Sequence, residues 1–435
     1  MVVNLMFLMI PFFFTIYLFF NYGAESAIEK SVIPFMILFP LSFNVFLSPY
    51  VPLLTFYSCA IIPLFVIGLI IYKIKMDFSI MDLLVVLYIL VTLYVGIESA
   101  GKIYGYSMLS IELITSLIPY FVIRCFVEKT SVLRILVILT IFISITALFA
   151  PTEFFINRHL GHIYQLFWRG NGLWAPFVRY GFNRVHSSYG HPIHAGVMFS
   201  VALMIAVMIY KMRIFKNKKI IWGIIAINII AMIMTISRAS YITVIPSIMV
   251  FWYSVVKNKK SYLIFFISII TIVVSIALPM YNSYLEIKPG EVITESKSSA
   301  IYRKMLFDSY MELAKEKYLI GYGNKIPQES GQYSIDNEYL FIVLKHGIIP
   351  LILFILMHLF VFFKTIVTTN NLSRRENMIL WTLLAITVYY SIINYSVWQT
   401  GQSRVVLFMV FGLLVNFTSK YKREKENKWH LKRII

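Results

Sequence analysis

The chain has 435 residues, of which 59% are hydrophobic and 14% are charged, and its mean hydropathy is +0.78. Soluble domains are roughly half apolar and a quarter charged, and about 20 consecutive apolar residues span a bilayer. Such segments recur along the whole chain, which excludes a soluble globular enzyme, a secreted disulfide scaffold and a disordered chain. The two cysteines, Cys59 and Cys125, are too few for a disulfide framework or a thiolate metal site. The composition predicts an all-α polytopic membrane protein.

Apolar segments form thirteen runs without a soluble domain between them and without an internal repeat. The first run lacks a basic n-region and a cleavage site, so we expect a retained helix rather than a signal peptide. The region 32–72 carries five prolines, which favour broken or short helices. We therefore predict about twelve transmembrane helices, alternatively thirteen, in a single membrane domain over residues 1–435. The runs lie near 2–20, 32–48, 51–72, 79–98, 107–124, 131–150, 191–210, 219–236, 239–256, 261–279, 338–363, 377–396 and 403–419.

Lysine and arginine in the short loops predict which side each loop faces, because cytoplasmic loops carry an excess of both. Every basic cluster is an even number of crossings from the next, so all are predicted to be cytoplasmic. The clusters lie at 73–75, 124–134, 211–219, 257–260, 364–375 and in the basic tail 420–435. This sidedness explains a net charge of +19 from 39 basic and 20 acidic residues without nucleic-acid binding. Two long segments, 151–190 and 280–337, become extracytoplasmic loops, and loops of this size usually carry function.

The outer loop 151–190 is rich in arginine and histidine. It contains no lysine and one acid, Glu153, beside four arginines: Arg158, Arg169, Arg179 and Arg184. Placing four arginines in an outer loop opposes the preference of basic residues for the cytoplasmic side. We therefore expect these arginines to have a function. A guanidinium binds phosphate oxygens bidentately and stays charged when partly dehydrated. The loop predicts a phosphate-bearing ligand, and a solvated loop against anionic headgroups is the alternative.

Histidines of the same region have two interpretations. His191 and His194 have a spacing that places two imidazoles on one helix face, but no carboxylate or cysteine accompanies them, so no metal site is predicted. A histidine that hydrogen-bonds a sugar hydroxyl or accepts a proton near neutral pH fits better. His186 and His191 are the candidates.

Two further arginines point to the same kind of site. Arg238 lies in a turn of about four residues between two apolar runs, where it must snorkel to water or find an anion. In the outer loop 280–337, helical spacing predicts a short amphipathic helix with Ser299 as its N-cap and Gly321 after its end. Arg303 lies near the start of that helix, and a helix N-terminus with a cation favours anion binding. Within the run 107–124, Glu112 either pairs with an interior arginine or lies near a helix end.

Polar residues cluster where the chain re-enters the membrane after the second loop. Gly321-Tyr322-Gly323 is followed downstream by Asp336, Asn337, Glu338 and Tyr339. These carboxyl and amide groups suit a base or a group that positions a hydroxyl. Helix capping by Asp336 or Asn337 is the structural alternative.

Together these motifs resemble the O-antigen polymerase and ligase superfamily, which contains Wzy-type polymerases and lipopolysaccharide O-antigen ligases. The resemblance covers residues 130–415 in layout and rests on Ser237-Arg238, Arg303, Gly321-Tyr322-Gly323 and Asp336-Asn337-Glu338-Tyr339-Leu340. Arg179, ten residues and Gly190 are similar to an arginine–glycine pattern of the polymerases. The ligases carry histidine, then Asn, Ser or Gln, nine residues and glycine. Here Asp336, Asn337, nine residues and Gly347 keep that spacing with aspartate in place of the histidine, which favours a polymerase.

The resemblance implies a GT-C-like fold and a metal-independent glycosyltransferase without a cofactor. Its substrate is expected to be undecaprenyl-pyrophosphate-linked oligosaccharide at the periplasmic face of the bacterial inner membrane, with a chain-length regulator as a further partner. Arg238, Arg303 and one of Arg179 or Arg184 would stabilise the pyrophosphate. Asp336, or else His186 or His191, would accept the proton of the acceptor hydroxyl. The expected substrate-binding residues are Arg179, Arg184, His186, His191, Gly321, Gly323, Asn337 and Tyr339. The alternatives are a ligase that transfers glycan to a second lipid and a flippase or transporter of lipid-linked oligosaccharide.

Overall fold

The computed structural model describes residues 2–48, 53–71, 78–156, 163, 168, 177–287, 291, 293–323, 325–327 and 335–434, with the backbone alone beyond residue 419. The first helices are α1 (Val2–Ala27), α2 (Ile33–Leu38), α3 (Phe56–Ile71), α4 (Ile80–Ala100), α5 (Lys102–Glu112), α6 (Ile118–Phe126), α7 (Val132–Ala147) and α8 (Ala150–Ile156). Later come α9 (Pro192–Met212), α10 (Lys218–Met234), α11 (Arg238–Trp252), α12 (Lys259–Leu285), α13 (Glu295–Glu316), α14 (Glu338–His346), α15 (Ile348–Thr369), α16 (Arg374–Ile393) and α17 (Gly401–Ile434). Two π-helical segments, Ile28–Val32 and Leu113–Leu117, and a 3-10 turn, Lys129–Ser131, join neighbouring helices. Two antiparallel hairpins pair β1 (Asn44–Val45) with β2 (Leu54–Thr55) and β3 (Val178–Arg179) with β4 (Phe182–Asn183).

Within these ranges, nine helical segments are long and apolar enough to cross a membrane. The predicted all-α, polytopic class is thereby confirmed. Three further apolar helices, α3, α10 and α11, have 16, 17 and 15 residues, so the number of crossings stays a prediction. The nine segments are Val3–Leu38, Ile80–Ser99, Lys102–Phe126, Lys129–Ile156, Pro192–Met212, Lys259–Leu285, Ile348–Thr369, Arg374–Ile393 and Gly401–Ser419.

Two predicted runs near the N-terminus share one helical path. It bends at Gly23, whose φ of +83° a glycine adopts without steric cost. It ends at Leu38 because Pro40 forces the residue before it, Phe39, into an extended conformation. The apolar run near 32–48 is therefore helical only to residue 38, where a short hairpin follows, as expected for broken or short helices in the region 32–72.

The predicted run 338–363 consists of two helices. α14 ends and α15 begins at Gly347, which has a φ of +85°. A Cβ at this position would lie 2.1 Å from the carbonyl oxygen of Leu319. The break therefore depends on glycine, which permits both the backbone angle and the close approach of the preceding loop.

Helices α9, α16 and the first part of α17 form the buried centre of the bundle, whereas α12 exposes apolar side chains along its length. An apolar helix that faces lipid needs no buried face. α9 and α11 pack closely at Gly196, where a Cβ would lie 2.4 Å from the Oγ of Ser240. This contact is near the N-termini of both helices, so His191 and Arg238 come to the same end of the bundle.

A helix occupies the segment where the loop 280–337 was predicted to contain one. Thr294 is its N-cap and its Oγ1 accepts a hydrogen bond from the Lys297 N–H at 3.3 Å, so α13 begins before the predicted Ser299. Leu306 and Tyr310 on its buried face cluster with Leu340 and Leu344 of α14. This packing brings α13 alongside the segment that contains Asp336.

Candidate active site

Four of the predicted arginines converge at one end of the bundle. Arg303 of α13 lies within electrostatic reach of Arg179, Arg238 and one acid, Asp336. Arg184 lies within reach of Arg179 and Arg303. We call Arg179, Arg184, Arg238 and Arg303 the arginine cluster. The fold therefore gathers cations from three segments that are far apart in the chain.

Burial and repulsion between like charges lower the pKa of two members of the cluster, Arg184 and Arg303. Burial is the main cause that lowers the pKa of Arg184 to about 10, and the charges of Arg179 and Arg303 add to it. Burial also lowers the pKa of Arg303, with repulsion from Arg238, whereas Asp336 opposes that shift. Guanidinium groups stay charged at neutral pH. Gathering several of them favours a bound anion.

The β3–β4 hairpin positions Arg179. Arg179 pairs with Phe182 across the hairpin. Between them Tyr180 and Gly181 have φ values of 52° and 78°, as in the type I′ turns whose twist matches paired strands. The Arg179 guanidinium lies 5.4 Å from the centroid of the Tyr180 ring, within cation–π range. The turn thus fixes the direction in which this cation leaves the backbone.

Arg184 is held against the turn that precedes α11. Its Nε donates to the carbonyl oxygen of Thr235 at 3.0 Å, and the N–H of Val185 donates to that of Met234 at 3.1 Å. Arg238 is the first residue of α11, where the partial positive charge of a helix N-terminus also favours an anion. One turn therefore joins two cations and a helix dipole.

Arg303 has an unsatisfied donor. Its Nε is shielded from solvent and has no hydrogen-bond partner among the described residues. Buried donors are nearly always paired, and leaving one unpaired costs about 1–3 kcal/mol. A phosphate oxygen is an acceptor that fits both its geometry and its charge.

A cavity of about 410 Å³ is linked to the cluster through Asp336, which lines it together with His191, His194 and Gln402, among others. We call it the Asp336 cavity. Its volume lies in the range of small-ligand sites, about 300–1,000 Å³. Asp336 interacts electrostatically with both Arg303 and His191. A carboxylate there can accept a proton from a hydroxyl in the cavity while staying close to the cations.

His191 is the N-cap of α9, and its ring geometry decides its chemistry. The Nδ1 accepts a hydrogen bond from the N–H of Ile193 at 3.2 Å. Burial, helped by Arg184 and opposed by Asp336, lowers the pKa of His191 to about 4. A neutral imidazole that accepts at Nδ1 carries its hydrogen on Nε2. His191 therefore offers a hydrogen-bond donor at Nε2, and Asp336 stays the predicted base.

Asn337 and Tyr339 make structural contacts. The Oδ1 of Asn337 accepts from the Leu340 N–H at 3.0 Å and caps α14. The Tyr339 hydroxyl donates to the carbonyl oxygen of Ser391 at 2.7 Å. Both contacts fix the start of α14. Because Asp336 directly precedes this segment, Asn337 and Tyr339 hold it in place.

Gly321 and Gly323 pack against the far end of α14. The N–H of Tyr322 donates to the carbonyl oxygen of Leu344 at 2.6 Å, and a Cβ on Gly321 would lie 2.8 Å from that oxygen. The nine residues of α14 rise about 13 Å. The structure thus separates both glycines from Asp336, and their positions indicate packing rather than contact with substrate.

His186 lies inside the protein. The ring Nε2 of His186 is 3.2 Å from Oε1 of Glu153. The backbone N–H of His186 donates to the same oxygen at 2.8 Å. The N–H of Ser187 donates to the other oxygen at 3.0 Å. Glu153 thereby holds the turn that leads to His191. His186 is absent from the described lining of the Asp336 cavity.

Sequence reasoning missed Arg404, which lies in the run 403–419. Its guanidinium contacts Glu112 at 2.7 Å, Glu338 at 3.3 Å and the Tyr88 hydroxyl at 2.9 Å. Of the two interpretations of Glu112, the pair with an interior arginine is the one observed. A charge inside an apolar run is itself a signal, and it could have identified Arg404.

Other predicted features lie outside the described residues or add no site. Arg158, Arg169, His159 and His162 lie outside those residues. Within the described part of the chain, no three His, Cys, Asp or Glu side chains are placed to hold a metal ion.

The fold and this site define a multi-pass α-helical membrane protein with a cationic cluster beside a small-ligand cavity. Residues 223–355 match the family described as O-antigen ligase, Wzy_C. The match covers less than a third of the chain; within that region it confirms the predicted resemblance to the O-antigen polymerase and ligase superfamily, and it supports an enzyme of that general type. The matched region contains Arg238, Arg303 and Asp336, whereas Arg179 and Arg184 precede it. None of the curated proteins compared matches the chain.

Proposed function

We propose that the protein is an O-antigen or related polysaccharide polymerase. It would join undecaprenyl-pyrophosphate-linked oligosaccharide repeats on the periplasmic face of the bacterial inner membrane, by a metal-independent glycosyl transfer. The observation that carries the proposal is that Arg303, which lies within electrostatic reach of Arg179, Arg184 and Arg238, also interacts with the Asp336 carboxylate. That arrangement supplies the two functions the reaction needs, an anion site and a base.

The anion site serves the donor. As the donor's glycosidic carbon–oxygen bond breaks, the lipid pyrophosphate leaves with the bonding electrons and gains negative charge. Preorganised cations stabilise such charge in the transition state. Each charge-assisted hydrogen bond contributes roughly 1.5–3 kcal/mol. Arg184, Arg238 and Arg303 together supply a useful part of a barrier reduction of about 8 kcal/mol or more.

The Asp336 cavity serves the acceptor. A sugar hydroxyl in the cavity forms the new carbon–oxygen bond, and its proton passes to the Asp336 carboxylate. The Nε2–H of His191 donates to an oxygen of the same sugar and orients it. The reaction balances because the acceptor oxygen loses its proton and the donor carbon loses the lipid pyrophosphate as these two atoms form the new bond.

A ligase is the second candidate, favoured by the description of the matched family. Donor chemistry is the same in both reactions, and the acceptor differs: a second repeat unit for the polymerase, another lipid for the ligase. Asp336, where the ligase pattern has histidine, is the residue on which our preference for polymerase rests.

The experiment incubates purified full-length protein with lipid-linked repeat unit alone. A ladder of lengths supports a polymerase. Product that requires a second acceptor lipid supports a ligase and contradicts the polymerase. Arg303→Gln should abolish product, whereas Lys304→Gln, the exposed neighbour on the same helix, should retain it. Equal activity of the two variants would remove Arg303 from the site.

A further inference from the structure

A second cavity, of about 580 Å³, lies at the opposite end of α9 from the Asp336 cavity. Its lining comes from residues 129–133, 212–214 and 375–379 and from Phe417. α9 has 21 residues, which rise about 30 Å. The cavity is therefore separate from the proposed catalytic site. The basic loops around it predict that it faces the cytoplasm.

The cavity is apolar on one side and cationic on the other. Leu133, Met212, Ile379 and Phe417 provide apolar surface, and Lys129, Arg213, Arg375 and Glu376 provide the charged groups. Lys129 Nζ lies 2.6 Å from Glu376 Oε1, so these two charges neutralise each other. Within the part of the chain whose side chains are described, Arg213 and Arg375 have no ion-pair partner. Among those described side chains, the cavity therefore carries two guanidinium groups that no carboxylate pairs with.

Arg213 occupies a position that suits glycine better. It ends α9 with φ 54° and ψ 45°, and its N–H bonds to the carbonyl oxygens of Ile209 and Tyr210. The residue that ends a helix in this left-handed conformation is usually glycine, because a Cβ is strained there. Strain that persists in a structure is a sign of function. An arginine here places its charge at the cavity at a cost to the backbone.

We propose that this basic cavity binds the phosphate group of an anionic phospholipid from the adjoining leaflet, with an acyl chain on the apolar surface. Guanidinium groups match phosphate oxygens in geometry and charge, and Arg213 and Arg375 supply two of them to this cavity. Basic pockets between transmembrane helices bind anionic headgroups on the cytoplasmic side. A free phosphate anion offers the same charge but leaves the apolar surface without a partner, so the lipid is the better occupant.

The test is native mass spectrometry of the purified full-length protein with cardiolipin, phosphatidylglycerol, phosphatidylcholine or inorganic phosphate. The variant combines Arg213→Gly, which relieves the backbone strain, with Arg375→Gln. The control combines Lys218→Gln with Lys219→Gln. Both lysines are predicted to face the cytoplasm, as the cavity is, but neither lines the cavity. We expect the Arg213 and Arg375 variant to bind the two anionic lipids roughly tenfold more weakly. The control should change binding less than about twofold.

Thermal unfolding separates loss of the ligand from loss of the fold. The Arg213→Gly change alone should leave the unfolding midpoint in zwitterionic lipid unchanged or higher, since glycine removes strain. Equal loss of lipid in the variant and the control would indicate general surface attraction and overturn the proposal. Arginine-dependent binding of inorganic phosphate without binding of either lipid would overturn the lipid as the occupant.

Discussion

The Nη2 of Arg404 lies 2.7 Å from Oε2 of Glu112 inside the bundle, where both side chains are almost fully buried. The same guanidinium reaches Glu338, two residues beyond Asp336. The second oxygen of Glu338 accepts from the Gln399 N–H at 2.9 Å. An ion network in the interior therefore anchors the segment that carries the proposed base.

Loss of Arg404 should be severe. Arg404→Met leaves two buried carboxylates without their cation, and breaking a buried ion pair costs about 3–5 kcal/mol. Adding Glu112→Gln to that variant should recover part of the loss. Thermal unfolding of detergent-purified protein measures both, with the exposed Lys218→Gln as a control. An Arg404→Met midpoint equal to that of the unaltered protein would contradict the network's role.

Gly323→Ala should destabilise the protein more than Gly181→Ala. Both glycines have positive φ, so the added backbone strain is similar. A Cβ at Gly323 would lie 1.9 Å from the Oγ of Ser99, whereas one at Gly181 meets nothing within 4 Å. Overpacking of this kind costs about 1–3 kcal/mol. Unfolding midpoints should differ accordingly, and adding Ser99→Gly should narrow the difference.

His191 should make stability depend on pH. Between pH 6.5, the usual pKa, and its folded pKa of about 4, the unfolded chain binds a proton that the folded protein excludes. Stability should therefore fall as the pH drops through this window. His191→Asn keeps an N-cap acceptor but does not titrate, so its unfolding midpoint should fall less between pH 7 and 4.5. Parallel curves for both proteins would show that His191 does not have a lowered pKa.

Asp336 and Asn337 should behave differently although they are neighbours. Asp336→Asn removes the proposed base, so turnover should fall at least a hundredfold while binding of the lipid-linked donor persists. Asn337→Asp keeps the helix cap and should stay active, whereas Asn337→Ala should cost about 1 kcal/mol of stability. Turnover assays and unfolding curves distinguish the two roles. An active Asp336→Asn variant would move the base elsewhere.

Sequence patterns anticipated the helical membrane fold and the residues of the arginine cluster. The reason is physical, since apolar length and the cost of a cation near lipid are both visible in one dimension. Helix boundaries were less accessible. Gly347 divides a continuous apolar run because of its φ and its close approach to Leu319. A hydropathy profile shows neither of these features.

The role of each residue within the site was harder to predict than which residues lie near the site. His186 and His191 look equivalent in the sequence, yet one is held by Glu153 and the other caps α9 beside the cavity. In the sequence, Gly321 and Gly323 form a motif shortly before Asp336. In the structure they lie about the length of α14 away from it. Only tertiary packing separates such candidates, because it depends on partners distant in the chain.

The most direct test of the account is the affinity of purified protein for undecaprenyl pyrophosphate, measured for the unaltered chain and for Arg184→Gln, Arg303→Gln and Lys304→Gln. Each arginine variant should weaken binding at least tenfold, since each loses a charge-assisted contact. Their combination should fall short of the product of the single effects because the two cations share one anion. Lys304→Gln should bind normally. Unchanged affinity in both arginine variants would contradict the claim that these guanidinium groups surround a single pyrophosphate.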